Sequence, residues 1–195
     1  VAVTGVQTVL FRSLYTDAAA SPRRGATQTA LHTMVCGLCR MLAPILAFTA
    51  EEAWEFIPGR SGQSVHLERW EPSQFTLTAE EQSDWTHLFQ LRALALPELE
   101  KARQAKSIGK ALEARLTLAT SGDALQAARA HMGDLREILN VSELDVAEDA
   151  TFAATVVPAG GSKCERCWHW ESDVGQVAAH PSLCGRCAAA VSVPA

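Results

Sequence analysis

No apolar run in these 195 residues approaches the roughly 20 that a membrane-spanning helix requires, so no membrane partner is expected. The chain opens VAVTGVQTVLFRSLY without an initiator methionine, and no basic segment leads into an apolar core with a small-residue cleavage site. Export is not indicated; the expected location is cytoplasmic, and the missing methionine is compatible with a piece of a longer protein. An excess of positive charge is also lacking. The formal charge of -5 argues against a generic polyanion binder, because non-specific affinity for nucleic acid grows with the number of phosphates that Lys and Arg neutralise. There is no internal repeat, and no low-complexity tract beyond an Ala-rich tail. What remains is 48% hydrophobic and 20% charged, a globular balance long enough for one core and an appendage.

The shortage of positive charge is local. Up to Ile57, Arg12, Arg23, Arg24 and Arg40 balance Asp17, Glu51, Glu52 and Glu55; residues 58–110 carry seven charges of each sign, and three of each follow from Pro158. The whole excess lies in residues 111–157, where eight acids face three bases. A polyanion is therefore expected at the two ends of the chain, not at that middle.

Helical spacing governs the first half. From Thr27 to Ile57 the apolar residues Leu31, Met34, Val35, Leu38, Met41 and Leu42 recur on one face, and Pro44 should end that helix near Leu42. LAFTAEEAWEFI then restarts a second helix, with Thr49 as its expected cap and Glu51 and Glu52 in the first turn. PGRSGQSVHLERWEPSQF reads as a connector tacked to the core by Val65, Leu67 and Trp70. A long amphipathic helix follows from TAEEQSDW onward, with Trp85, Leu88, Leu91 and Leu99 on its apolar face, a bend expected at Pro97 and a basic exit at Lys101, Arg103, Lys106 and Lys110. LEARLTLAT alternates as a half-buried strand does, one helix is expected from Asp123 to Leu139, and SELDVAED and TFAATVVPA read as two more strands. Strand, helix, strand, strand makes a small α+β unit. PAGGS, at Pro158 to Ser162, reads as a flexible joint.

Six cysteines are the densest chemistry in the chain. KCERCWHW and LCGRC place Cys164 and Cys167, then Cys184 and Cys187, as two CxxC pairs separated by sixteen residues. In a chain without an export signal that spacing favours reduced thiolates on a metal over disulfides. Four soft sulfurs in two chelating pairs suit one tetrahedral Zn²⁺ and leave no open position for water, so the role is structural, not hydrolytic. The segment is poor in aliphatic residues, and the metal would supply much of its folding free energy. His169 and His180 are possible substitute ligands, but with four cysteines in place they read as surface or packing residues. Trp168 and Trp170 alternate along an extended stretch, so both cannot easily be buried, and Trp168 beside Arg166 offers a flat face and a cation to an unpaired base. The remaining pair, Cys36 and Cys39, lies inside an apolar helix and not at a helix start after a strand, so it reads as core, not as a redox motif.

KCERCWHW followed by DVGQVAAHPSLCGRC resembles the C-terminal zinc finger of bacterial isoleucyl-tRNA synthetases, a type shared with formamidopyrimidine-DNA glycosylases. SLYTDAAASPRRGATQTAL and LAPILAFTAEEAWEFIP resemble the helical anticodon-binding domain of the same family, and SIGKALEARLTL its link to the C-terminal junction. The resemblance runs from about Leu14 to Cys187 and implies a mainly α fold: a helical anticodon-binding region over 1–79, a long helix and α+β junction over 80–159, and a four-cysteine zinc finger over 160–190. Residues 1–13 fit it poorly. It implies isoleucine tRNA as partner, its anticodon stem gripped by the helices and its loop covered by the finger, with contacts at Arg166 and Trp168. Arg23 and Arg24 are candidate phosphate contacts, whereas Lys101, Arg103 and Lys106 read as a solvated stripe. The HIGH and KMSKS signatures of class I synthetases are absent from these residues. ATP would thus serve only a catalytic part of the synthetase, a further expected partner, and no catalytic residue is assigned here.

Besides a purely structural role for the zinc with no tRNA contact, two rival readings follow from the same residues. LPELE at Leu96 to Glu100 echoes the start of the finger-bearing DNA glycosylases, but their nucleophile is a free N-terminal proline amine and the nitrogen of Pro97 is an amide; DNA is not an expected partner. A free-standing zinc adaptor that binds RNA or protein is the other.

Overall fold

The computed structural model describes residues 12–71 and 76–192. The opening of the chain, the last four residues of the connector and the end of the Ala-rich tail lie outside the described residues. Two compact units divide the chain: Ala20–Thr76 is one, and the described residues before Ala20 join those from Leu77 onward in the other.

In the first unit α1 spans Pro22–Leu42 and α2 spans Ala47–Glu55. α1 starts ahead of the apolar spacing because Ser21 accepts the Arg24 amide and Pro22 is preset for a first helical turn. It stops at Leu42, two residues before the proline that cannot continue it. The expectation that Thr49 caps α2 is corrected. Leu46 stands at the cap without a side-chain bond, since the amides of Leu46 and Ala50 find the carbonyls of Leu42 and Leu46 at 2.7 and 2.8 Å and carry the chain round unaided. Glu51 turns instead to the connector, accepting from the Val65 amide at 2.9 Å and the Ser64 hydroxyl at 3.0 Å. Only Val65 is tacked down, at 2% exposure; Leu67 and Trp70 stand out at 80% and 55%, which corrects the other two anchors. The core of this unit gathers Val65 with Cys36, Cys39, Ala43, Ala50, Ile57 and the fully buried Trp54. Burial, then the neighbouring Cys36, pushes the Cys39 thiol upward, which is the behaviour of an inert packing cysteine.

The second unit is built on α3, Ala79–Gln104, which opens with a capping box: Thr78 accepts the Glu81 amide and Glu81 accepts the Thr78 amide at 2.8 Å. Pro97 forfeits one hydrogen bond, yet α3 runs through it as a single element, because Leu91, Ala95 and Leu99 on either side are buried in the core. α3 packs with a three-stranded sheet of order β2-β1-β3, where β1 is Ala114–Thr120, β2 is Glu143–Glu148 and β3 is Ala153–Pro158. β1 is central, parallel to β2 and antiparallel to β3, and its buried Ala114, Leu116 and Leu118 alternate as the sequence pattern requires. The connection between β1 and β2 is two helices, α4 (Gly122–Ala130) and α5 (Met132–Leu139), where one was expected. His131 leaves the helical conformation at φ -115°, its ring lying 3.3 Å from Asp84 on α3 and 3.4 Å from Asp134. Asn140, at φ 59°, then ends α5 in the left-handed region.

PAGGS is anchored, not loose. The amides of Ala159 and Gly160 reach the Glu113 carbonyl and the Glu143 carboxylate, each at 2.7 Å. Gly161 follows at φ 78°, where a Cβ would overlap the backbone of Glu171. Among the described residues no helix is long and apolar enough to cross a membrane.

Candidate metal centre

Two knuckles follow the PAGGS joint. β4 (Ser162–Lys163) and β5 (Trp170–Glu171) make a short antiparallel hairpin, and its turn carries the first cysteine pair. The turn closes through the Cys164 amide on the His169 carbonyl at 2.8 Å and the Trp168 amide on the Cys164 carbonyl at 2.9 Å. Trp168 itself is left-handed at φ 66°, an unusual posture for a bulky side chain. The second pair straddles the start of α6, Gly185–Ser192, where the Gly185 amide is held by Asp173 at 2.9 Å.

These two turns bring all four sulfurs within 4.8 Å of one another. Cys167 and Cys184 stand 3.8 Å apart, and a regular tetrahedron with metal–sulfur bonds of about 2.3 Å has edges of about 3.8 Å. Each cysteine is at most 3% exposed, and the Cys184 amide donates to the Cys164 sulfur at 3.3 Å. Neither His169 nor His180 joins the cluster. The residues therefore fit a closed, four-sulfur site for a tetrahedral dication, with no position left for substrate or water.

Electrostatics within the cluster point the same way. A hydrogen bond from Cys187, then the His169 amide and Arg186, hold the Cys167 thiol down at about 4 against the cost of burial. Desolvation and the adjoining Cys167 charge push Cys184 up to about 11. The bond that Cys187 gives to Cys167, and its own burial, raise Cys187 as well. Cys167 thus keeps its charge at the expense of its neighbours; a bound dication would let all of them ionise together.

The finger is docked on the α+β unit. Ser142, 1% exposed, donates to the Leu112 carbonyl at 2.5 Å and accepts the Trp170 amide at 2.7 Å. Arg136 on α5 reaches Glu171 at 2.6 Å and His169 Nδ1 at 3.0 Å. His169 is buried between Arg136 and Arg12, as a packing residue. None of Ser142, Arg136 and Glu171 stands out in the sequence, because their partners lie 28 to 35 residues away.

The expected surface residues separate into groups. Trp168 is 59% exposed, with its indole N–H on the Glu165 carbonyl at 3.1 Å. The cation over its ring is Lys163, 5.9 Å from the centroid; Arg166 is half-buried and gives a bond to the Tyr15 carbonyl at 2.7 Å. Arg23 and Arg24 lie in the first turn of α1, in the other unit. Lys101 and Arg103 are exposed and paired with Glu98 and Glu100, each at 2.7 Å.

A helical unit, an α+β unit and a four-sulfur knuckle on one chain have a counterpart among known proteins. Residues 10–118 match the anticodon-binding domain of tRNA ligases, and the chain belongs to that family. Residues 161–190 match the zinc finger found in FPG and IleRS. Curated relatives include isoleucine–tRNA ligases: one from Pseudomonas paraeruginosa is 42% identical over 89% of this chain and 20% of its own length. Those of Sodalis glossinidius and Geobacter sulfurreducens are 38% and 33% identical, over 92% and 93% of this chain and 21% of their own lengths. The chain thus spans about a fifth of the length of the relatives it matches. A free-standing zinc adaptor is not favoured by a family match that takes in more than half of the residues.

Proposed function

We propose that these residues are the tRNA-holding part of an isoleucine–tRNA ligase, with Cys164, Cys167, Cys184 and Cys187 holding one structural Zn²⁺. The parent reaction, ATP-dependent attachment of isoleucine to its tRNA, belongs on this reading to a catalytic part that these residues serve. The observation that carries it is the joint match of residues 10–118 and 161–190 in one chain, together with its likeness to isoleucine–tRNA ligases along 89% of its length. The helical region, taken as residues 1–79, grips the anticodon stem; the junction over 80–159 carries the finger of 160–190 to the loop.

In that interface Trp168 is the stacking platform. Its exposed ring and the Lys163 ammonium above it offer the combination that an unpaired base and its phosphate require. Arg166 adds positive charge beside the loop while keeping its bond to Tyr15, and Arg23 and Arg24 meet phosphates of the stem. Filter binding of isoleucine tRNA against an unrelated tRNA, with and without a zinc chelator, tests the reading. Preference for isoleucine tRNA, lost on chelation, is the expected result. Trp168→Ala should cost about 1–3 kcal/mol, roughly 5- to 150-fold in Kd; equal binding of both tRNAs, or an unchanged Kd in the variant, refutes it.

A further inference from the structure

Both cysteine pairs have the form C-x-R-C: Arg166 precedes Cys167 and Arg186 precedes Cys187. The two guanidinium groups turn to one short stretch near the other end of the chain. Arg166 donates to the Tyr15 carbonyl at 2.7 Å, and Arg186 donates to the buried Asp17 carboxylate at 2.9 Å. That stretch ends a helical turn over residues 12–16, to which Asp17 is tied by its own amide on the Ser13 carbonyl at 3.2 Å. Arg12 completes the seat by bonding Asn140 at 2.5 Å and His169.

Arg186 also adjoins the cluster, since it directly precedes the ligand Cys187 while its guanidinium is held by Asp17. It therefore stands between two negative groups, a buried carboxylate and the cluster. Four thiolates around a dication leave a net charge of about -2, which a buried site tolerates only with positive charge or donors close by. Groups in this position orient the ligands and tune the metal, and their loss lowers metal affinity by about 10- to 100-fold.

We propose that Asp17 and Arg186 are positioning residues of the metal centre, and that with Arg166 they clamp residues 12–17 so that this segment and the knuckles order as one. The inference rests on the metal reading above. Metal bound at the cysteines preorganises both arginines for Tyr15 and Asp17; the seated Asp17 holds Arg186 beside the cluster. The coupling is reciprocal by thermodynamic necessity: whatever factor the segment adds to metal affinity, the metal adds to the seating of the segment.

The test uses the full chain loaded with zinc. Metal is titrated away by a chromophoric chelator in the wild type and in Asp17→Asn, Arg186→Gln and Arg186→Lys, with Arg129→Gln as a control at a surface pair on the acidic sheet edge. Amide hydrogen exchange of residues 13–17 is followed before and after chelation. Asp17→Asn and Arg186→Gln should lose the metal about 10- to 100-fold more readily, Arg186→Lys should recover part of the loss, and Arg129→Gln should match the wild type. Chelation should strip protection from residues 13–17. Asp17→Asn lies outside the finger and keeps the test alive if Arg186→Gln fails to fold. Wild-type zinc binding with unchanged affinity in Asp17→Asn, or protection at 13–17 that ignores chelation, overturns the clamp and leaves the metal reading intact. No zinc on the wild type overturns both.

Discussion

Ser142→Ala probes how the finger is held, and its cost can be worked out bond by bond. The Ser142 hydroxyl is 1% exposed as a residue and serves two backbone groups, the Leu112 carbonyl at 2.5 Å and the Trp170 amide at 2.7 Å. Alanine fits the space but strands both groups, and an unsatisfied buried polar group costs about 1–3 kcal/mol. Leu112 and Trp170 are half-buried, so water relieves part of that cost and about 2–3 kcal/mol is expected in total. Urea unfolding of the zinc-loaded chain measures it. The location of the two bonds gives a second number: Leu112 belongs to the α+β unit, whereas Trp170 belongs to β5 and exists as a partner only while the finger is folded. With metal stripped by chelator, and the finger unfolded as small metal modules are without their ion, the same substitution should cost about half as much. A loss under about 0.5 kcal/mol in the loaded chain, or an equal loss with and without metal, refutes the idea that Ser142 bridges the two.

Other outcomes follow from the same geometry. Gly161→Ala puts a Cβ into the Glu171 backbone at φ 78°; the left-handed region alone costs about 1–2 kcal/mol, and chelator titration should show weaker metal retention because the β4–β5 hairpin must shift. Metal uptake should release protons, since Cys184 lies up at about 11 and Cys187 is raised too. At neutral pH both thiols hold protons that a dication must displace, so the logarithm of apparent affinity should climb by at least about two per pH unit and fall correspondingly in acid; a flat profile between about pH 6 and 8 excludes the four-thiolate site. Cys36→Ser and Cys39→Ser should leave the bound zinc unchanged, because both lie in the core of the other unit, and any loss of metal stoichiometry would contradict that.

The sulfur cluster was legible because its information is local: two residues between cysteines fix a chelating turn whatever surrounds it. The β1 alternation and the order of strands and helices were legible for the same reason, as periodicity records which face is buried. Three features escaped, two because they are settled over long range and one because backbone bonds made a side-chain cap unnecessary. Near His131 only Gly133 hints at a break, and the ring's other anchor is Asp84, 47 residues away. Thr49 looks like a cap, but the chain was already turned by backbone bonds from Leu42. The segment before Ala20 joins the unit that begins at Leu77, through pairs such as Arg186 with Asp17 at a separation of 169 residues. By contrast α1's start is readable from Ser21 and Pro22, although the apolar spacing begins only later.

The acidic middle of the chain acquires a physical reason from the sheet. β2 is an edge strand, and an edge presents unpaired backbone groups that invite another strand unless charge discourages it. Asp145 and Glu148 project from it with side chains 50% and 69% exposed; Arg115 on β1 pairs with Asp145 at 2.8 Å and Glu143 at 3.6 Å and Arg129 on α4 reaches Glu148 at 3.6 Å, so the acids of the strand still outnumber the bases beside them. The same carboxylates make the strand repulsive to phosphates, whereas the finger carries as many bases as acids from Pro158 onward and sets Lys163 beside Trp168. On the proposed tRNA-binding reading, an RNA approaching the α+β unit with its finger would be repelled from one edge and accepted at the knuckle. The orientation comes from where the charges sit, although the net charge of -5 taken alone argues against binding.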